Sequence, residues 1–317
     1  RQVILQGFGN GTNQGVISIL SSDGLTGVTL TDTSTGNGLT NPFSLGTDGT
    51  NIYATNNFGI TGQGQLLRYA PTSTTSLTSG SFTSVNLAAS APLQNPLEVL
   101  VVDANNIFVS EYANRAGGGC VRRFQIASGV VTESIFFNSV DYPAGLATDG
   151  TNLFVASNTA SGALGAVYKI PLSTTTVPVV PGGPGVTSIT APASFSFNYP
   201  ARLAADSSGG IVVGSGISVS PGPGTGQTIG IDNSGATQGV LYYIAPGADT
   251  AQAVMTGLPP IAGLAVTDGG NGQDTVGVTD GTTSASVRQI SFLRSNGVPT
   301  QHLLLAQNEV RPITAAF

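Results

Sequence analysis

The sequence has almost none of the residues on which most metal and redox sites depend. Its 317 residues include one Cys, one Met, one His and no Trp. One cysteine excludes an intrachain disulfide framework and a Cys-rich zinc site, and one histidine excludes a His-based metal cluster. Cys120 is therefore expected to be a small buried apolar residue, with an intermolecular disulfide as the alternative.

Charged residues are also scarce. Lys and Arg number 10 and Asp and Glu 16, so only 8% of the chain is charged, with a net charge of −6. A nucleic-acid-binding protein needs a basic patch, which this composition does not supply. No apolar run approaches the ~18–20 residues of a membrane helix, so no membrane span is expected. The polar, lysine-poor composition and the start at Arg1 predict a mature exported protein, extracellular or at the cell surface.

What the sequence does contain is an internal repeat. Residues 41–54 and 142–155 both begin at or just before a proline and share the central segment Thr-Asp-Gly-Thr-Asn. Weaker copies follow further prolines at intervals of 47 to 60 residues. Periods of this size are typical of repeat architectures. The repeats are predicted to start near Pro42, Pro96, Pro143, Pro200, Pro260 and Pro312.

Each repeat has the pattern of four short strands. Proline is tolerated at the first residue of a strand, an Asp-Gly type turn follows, and β-branched and aromatic runs then predict the second and third strands. A weaker fourth run completes the unit of a β-propeller blade. We therefore expect an all-β fold, with residues 1–317 forming one six-bladed β-propeller of four-stranded blades. The closing blade would combine a C-terminal strand from 311–317 with N-terminal strands from 1–33.

The repeat resembles the six-bladed propellers of the NHL-repeat type. Residues 143–149 fit that family's Pro-x-Gly-hydrophobic-Ala-x-Asp segment, and residues 106–111 fit its second strand, with Glu111 in place of Asp. The resemblance implies a propeller architecture over nearly the whole chain. It leaves the function open, because the family includes ligand-binding modules, structural domains, lactonase-like hydrolases and lyases.

The residues two or three places after each blade proline are expected to face the central channel. They are Ser44, Glu98, Gly145, Arg202, Gly263 and Thr314. Only Glu98 and Arg202 are charged. Two interpretations stay open: the pair orients a ligand, or it forms a structural ion pair that plugs or rims the channel.

The acidic residues offer few metal or catalytic sites. Aspartates that recur once per repeat are expected to cap turns rather than bind metal. The oxygen-rich stretch containing Asp268, Asn271 and Asp274 is a weak Ca²⁺ candidate without EF-hand spacing, and no other cofactor is expected. His302 is predicted to lie on an outer strand, away from any catalytic triad. No catalytic residue is assigned, and Asn10 is the one N-glycosylation candidate.

The main functional hypothesis is a non-catalytic secreted or cell-surface propeller with a structural or interaction role. Its partners would be other surface components or copies of itself, as in an extracellular filament or surface layer, because low charge gives little self-repulsion. One alternative is a glycan-binding module at the channel mouth, using loop aromatics such as Tyr112, Tyr142 and Tyr199. The other is a lactonase-like hydrolase or lyase at the central channel, in which Glu98 would hold a metal.

Overall fold

The described part of the chain consists of β-strands and the turns that join them. The computed structural model describes residues 2–6, 16–20, 27–30, 42–57, 63–71, 80–85, 92–115, 118–158, 165–193, 196–197, 199–216, 218–221, 229–232, 238–270, 272–280, 286–293, 299–307 and 314–316. Within these ranges there is no helix of the length and apolarity needed to cross a membrane.

The strands follow one another along the chain in groups. The opening group is β1 (Gln2–Gln6), β2 (Val16–Leu20) and β3 (Gly27–Leu30). The second is β4 (Pro42–Thr47), β5 (Ile52–Asn57), β6 (Gln63–Pro71), β7 (Gly80–Ser84) and the short β8 (Leu93–Gln94). The third is β9 (Pro96–Asp103), β10 (Asn106–Arg115), β11 (Gly118–Ala127) and β12 (Val130–Val140).

The later groups repeat this arrangement. The fourth is β13 (Pro143–Thr148), β14 (Asn152–Ser157), β15 (Ala166–Pro171) and β16 (Thr187–Ser188). The fifth is β17 (Arg202–Ala205), β18 (Ile211–Gly214), β19 (Ser218–Pro221), β20 (Ile229–Asp232), β21 (Gly239–Ile244) and β22 (Ala251–Leu258). The last strands are β23 (Ile261–Gly270), β24 (Gln273–Asp280), β25 (Ser286–Leu293), β26 (Pro299–Gln307) and β27 (Thr314–Ala316).

These strands form four-stranded antiparallel sheets, as the repeat predicted. The strand orders are β4-β5-β6-β7, β9 to β12, β13 to β16, β17-β18-β21-β22, and β23 to β26, with β8 added beside β6. A further sheet has the order β27-β1-β2-β3. Strands β19 and β20 pair separately, inside the long connection between β18 and β21. Pro42, Pro96 and Pro143 are the first residues of their strands, where no ladder donor is required.

The repeated aspartates cap the turns between the first and second strands, as expected from the sequence. Asp149 Oδ1 accepts hydrogen bonds from the backbone N–H groups of Thr151 at 2.8 Å and Asn152 at 2.6 Å. Gly150 in this turn has a φ of 86°, a left-handed conformation that glycine adopts without steric cost. Asp48 makes the equivalent bonds in the second group. The aspartates therefore serve the turns in which they lie.

The first strands of the sheets meet one another. Strand β4 contacts β9, β9 contacts β13, β13 contacts β17, β17 contacts β23, β23 contacts β27, and β27 contacts β4. One buried apolar cluster joins equivalent residues near the start of five of these strands, and it also includes Tyr112. Its members from the first strands are Phe43, Leu97, Ala144, Ala201 and Ala262. Small side chains at three of these positions let the strands approach closely.

Candidate functional site

The structure brings Glu98 and Arg202 together across the meeting point of the first strands. Arg202 Nη1 lies 2.7 Å from Glu98 Oε2, although the two residues are 104 positions apart in the sequence. Ser44 Oγ donates to the other carboxylate oxygen of Glu98 at 2.9 Å. Arg202 Nε donates to the carbonyl oxygen of Ala262 at 2.7 Å. This central network therefore links β4, β9, β17 and β23.

Gly145 explains how closely β13 approaches β17 beside the central network. It occupies the equivalent position on β13, between the strands that carry Glu98 and Arg202. A Cβ atom on Gly145 would lie 3.0 Å from the carbonyl oxygen of Ala201 and 3.1 Å from Cα of Arg202. Both distances are tighter than ordinary contacts, so β13 and β17 approach closely only because this residue has no side chain.

The central ion pair is mostly withdrawn from solvent. The side chains of Arg202 and Glu98 are 10% and 17% exposed. Burial raises the pKa of Glu98 above its usual value, and the Arg202 guanidinium and Ser44 hydroxyl counteract this effect only in part. A carboxylate in this setting is held by its neighbours, but its ionisation is opposed by the surrounding protein.

Hydroxyl groups on the second strands connect neighbouring sheets around this network. The backbone N–H of Glu98 donates to Ser110 Oγ at 3.0 Å, and that hydroxyl donates to the carbonyl oxygen of Ala144 at 3.2 Å. Thr55 makes the same two contacts one sheet earlier, with the N–H of Ser44 and the carbonyl oxygen of Leu97. The sequence analysis missed this pair of hydroxyls. Their shared position, three residues after Ile52 and Ile107 in the two repeats, was the available signal.

Tyr112 was expected on a loop at the channel mouth, and this placement is wrong. It lies within strand β10 and is 0% exposed, because its ring packs among the apolar residues of the first strands. Its hydroxyl has no hydrogen-bond partner. Burial, and then the nearby Tyr142, raise its pKa. The ring of Tyr142 lies 4.9 Å from that of Tyr112.

Tyr142 and Tyr199 occupy a special backbone position rather than an ordinary loop. They have φ values of 46° and 49°, and each directly precedes a blade proline. Asn95, at the same position before Pro96, has a φ of 46°. The carbonyl groups of Asn95 and Tyr142 accept hydrogen bonds from the N–H of Tyr112 on β10 at 3.1 Å and from the N–H of Asn158, directly after β14, at 2.8 Å. The left-handed conformation therefore recurs at the position directly before the first strand of a sheet. A glycan-binding role for these tyrosines stays a prediction.

The weak Ca²⁺ candidate is not an irregular loop. Asp268 belongs to β23 and Asp274 to β24, and the two residues face each other in the strand register. Asp274 is 0% exposed, whereas Asn271 and the side chain of Asp268 lie outside the described residues. Among the side chains that the structure describes, no three His, Cys, Asp or Glu residues are grouped to hold a metal. Asn10 also lies outside the described residues.

A second buried ionic cluster, which the sequence analysis did not identify, lies inside the third group of strands. Glu111 on β10 accepts hydrogen bonds at Oε2 from Arg122 Nε at 2.7 Å and from the Cys120 thiol at 2.8 Å. Arg122 Nη1 also forms an ion pair with Glu133 on β12. We call these four residues the in-sheet cluster. Cys120 is a free, buried cysteine, as expected.

The cations on the third strands differ in burial. Arg122 is only 3% exposed and is held between two carboxylates. Arg123 is partly exposed, donates to Asn106 and lies over the ring of Phe108 at 5.7 Å. Lys169 pairs with the exposed Asp249 of the neighbouring sheet. His302 lies on β26, the outermost strand of its sheet, as predicted.

Comparison with known proteins defines the fold. The chain matches no protein family model, and no curated protein matches it significantly. It is similar in structure to TolB from Acinetobacter baumannii, a β-propeller protein, with a TM-score of 0.53 and 12% identity over 99% of this chain. The alignment spans 66% of the TolB chain.

Two other solved structures extend this likeness. A protein of unknown function from Desulfotomaculum acetoxidans gives a TM-score of 0.52 at 10% identity, covering 99% of this chain and 87% of that one. A gluconolactonase-family protein gives a TM-score of 0.49 at 15% identity, covering 92% and 83% of the two chains. With the four-stranded sheets described above, the likeness to TolB shows a β-propeller fold. At such low identity it shows the fold alone.

Proposed function

We propose that the protein is a six-bladed β-propeller that acts as a non-catalytic interaction module. Support for six blades comes from the cyclic contacts of the first strands, in which β27 lies between β23 and β4. The strand order β27-β1-β2-β3 gives the closing blade the same number of strands as the others. The NHL-type repeat stays part of this proposal, as does an extracellular or cell-surface location, which the low charge content favours.

The observation that carries the non-catalytic role is that the central charges are satisfied within the protein. Both carboxylate oxygens of Glu98 have protein partners, Ser44 and Arg202. Arg202 is in turn fixed to the backbone of Ala262. A metal or a substrate proton at this carboxylate would have to compete with the Arg202 guanidinium, and an anionic substrate at Arg202 would have to compete with Glu98. The central network instead joins strands from four sheets.

A lactonase-like hydrolase is the second candidate, and one observation favours it. Burial raises the pKa of Glu98, and raised carboxyl pKa values recur among catalytic acids and bases. In that case the ion pair with Arg202 would open to admit a metal or substrate. The two candidates therefore make opposite predictions about the same carboxylate.

The deciding experiment combines metal analysis with assays of hydrolysis on purified protein, using a panel of aliphatic lactones. We expect no bound metal at a fixed ratio to the chain, and no hydrolysis above that of buffer. Glu98→Gln should lower stability without changing any turnover. Asp249→Asn, at a carboxylate 56% exposed and remote from the central network, is the matched control. One metal per chain, with hydrolysis abolished by Glu98→Gln alone, would overturn the proposal.

A further inference from the structure

The sheet β27-β1-β2-β3 differs from the others in how it is held together. In the other sheets of the described chain, the first and second strands are consecutive and joined by a short turn, such as residues 104–105 between β9 and β10. Strand β27 instead meets β1 from the far end of the sequence order, and only hydrogen bonds join them. We call this pairing the seam.

The described part of the seam is a ladder of three residue pairs. Its register contains Val3 opposite Ala316, Ile4 opposite Ala315, and Leu5 opposite Thr314. By contrast, the register between β23 and β24 extends from Ile261 to Gly270. A strand that no turn joins to its partner opens at lower cost than one inside a continuous hairpin, because no connecting turn has to be broken.

The strands of the seam sheet contain no charged residue. Its strands have the sequences QVILQ, VISIL, GVTL and TAA, and none contains Asp, Glu, Lys or Arg. Every other four-stranded sheet of the described chain contains at least one charged residue. Inward-pointing or edge charges are a common device against pairing between chains. This sheet has no such device, and the whole chain carries little charge to keep copies apart.

We propose that the seam is an exchange site, at which β27 of one copy of this chain completes the β1 sheet of a second copy. The inference rests on the proposed function as an interaction module and names its partner as a second copy. An exchanged β27 would make the same ladder to β1, and the same contacts with β23 and β4, as the strand it replaces. Exchange of an identical element is a low-cost route to association, because few contacts are lost.

The pattern of exchange determines which assembly forms. Two copies that exchange β27 reciprocally form a closed dimer, whereas one-way donation from copy to copy forms a chain. The strand of the same chain competes intramolecularly, at an effective concentration that does not depend on the protein concentration. We therefore expect exchange to increase with protein concentration and to be favoured when copies refold together.

The experiment places cysteines on opposite sides of the seam in different molecules. Chains carrying Ile4→Cys and differently sized chains carrying Ala315→Cys are unfolded, mixed, refolded at increasing concentration and oxidised. Residues directly opposite in an antiparallel pair lie within disulfide range. We expect a disulfide-linked heterodimer on a non-reducing gel, in excess of either homodimer and increasing with concentration. The native Cys120 is buried and stays unchanged.

The matched control uses a pair inside a continuous hairpin. Ala70 and Ser81 are opposite residues of β6 and β7, and mixing Ala70→Cys with Ser81→Cys chains should give no heterodimer above the homodimer level. If the seam mixture behaves like this control while the double variant Ile4→Cys/Ala315→Cys closes within one chain, exchange is ruled out. That result would leave the non-catalytic role intact, whereas metal-dependent hydrolysis would overturn that role without altering the disulfide pattern, so the two failures are distinguishable.

Discussion

The described part of the chain contains two arginine–glutamate groups largely withdrawn from solvent, and they differ in the strands that they join. In the central network, Glu98 and Arg202 lie on first strands of different sheets, 104 positions apart. In the in-sheet cluster, Glu111 and Arg122 lie on adjacent strands of one sheet, 11 positions apart. The central side chains are 17% and 10% exposed, whereas those of the in-sheet pair are 1% and 4% exposed.

The two groups therefore stabilise different things, one the strand register within a sheet and the other the packing between sheets. The in-sheet cluster fixes the register of β10, β11 and β12, because Glu111, Arg122 and Glu133 come from these three strands. The central network fixes how separate sheets meet. A charge removed from the drier, locally formed cluster leaves its partners with no access to water, so the energetic cost should be higher there.

The largest expected effect is the loss of Arg122. Replacement by Met keeps most of the side-chain volume but leaves Glu111 and Glu133 buried without their cation. Breaking a buried pair in this way costs about 3–5 kcal/mol. We therefore expect Arg122→Met to lower the free energy of unfolding by about that amount, as measured by urea denaturation.

Arg123→Met is the control for that experiment. Arg123 precedes Phe124 on the same strand, but it is partly exposed and contributes a hydrogen bond to Asn106 and ring contacts. These contacts are together worth about 1–2 kcal/mol. If the two variants lose equal stability, burial is not what distinguishes Arg122, and the contrast between the two ionic groups fails.

The sequence alone was sufficient to predict the parts of the fold that repeat. The recurring proline and Asp-Gly pattern predicted the four-stranded sheets, the turn-capping role of Asp48 and Asp149, and the outer position of His302. Aligning the repeats also selected Glu98 and Arg202, because charge is rare at that position. Each repeat is an independent example of the same local pattern, so features shared by the repeats can be predicted by aligning them.

Features that occur once were not predictable in this way. The pairing of Glu111 with Arg122 and Glu133 depends on strand register and burial inside one sheet, and no second repeat has the same residues. Tyr112 was assigned to a loop because β10 extends to Arg115, beyond the second strands of most repeats. The close approach of β13 and β17 beside Arg202 depends on the absence of a side chain at Gly145, which only the three-dimensional packing reveals.

A smaller effect is the pH dependence of stability at Glu98, compared with that at the turn-capping Asp206. Burial raises the pKa of Glu98 above 4.5, so the folded state holds this proton more tightly than the unfolded state does. The stability of the wild type relative to Glu98→Gln should therefore fall as pH increases from below 4.5 through the raised pKa. Unfolding free energies of both proteins between about pH 3 and pH 7 measure this difference.

Asp206, which caps a turn within one sheet, should show the opposite sign. Burial opposes its ionisation, but hydrogen bonds from Ser208, Tyr243 and Gly210 outweigh that effect and lower its pKa below 3.8. Its contribution is present above pH 3.8 and is lost as pH falls through the lowered value. The stability of the wild type relative to Asp206→Asn should therefore rise with pH. Equal slopes for the two variants would contradict the assigned environments.

The smallest expected effect concerns the tyrosines at the sheet junctions. Tyr142→Asn and Tyr199→Asn both relieve a left-handed backbone, at φ values of 46° and 49°, which asparagine tolerates better than tyrosine. Tyr142→Asn also loses the ring pair with Tyr112 and a place beside the central apolar cluster. We expect Tyr142→Asn to be less stable than Tyr142→Phe, which keeps the ring, by about 0.5–1.5 kcal/mol in thermal and urea unfolding. The reverse order would mean that the junction strain, rather than packing around the first strands, dominates at these positions.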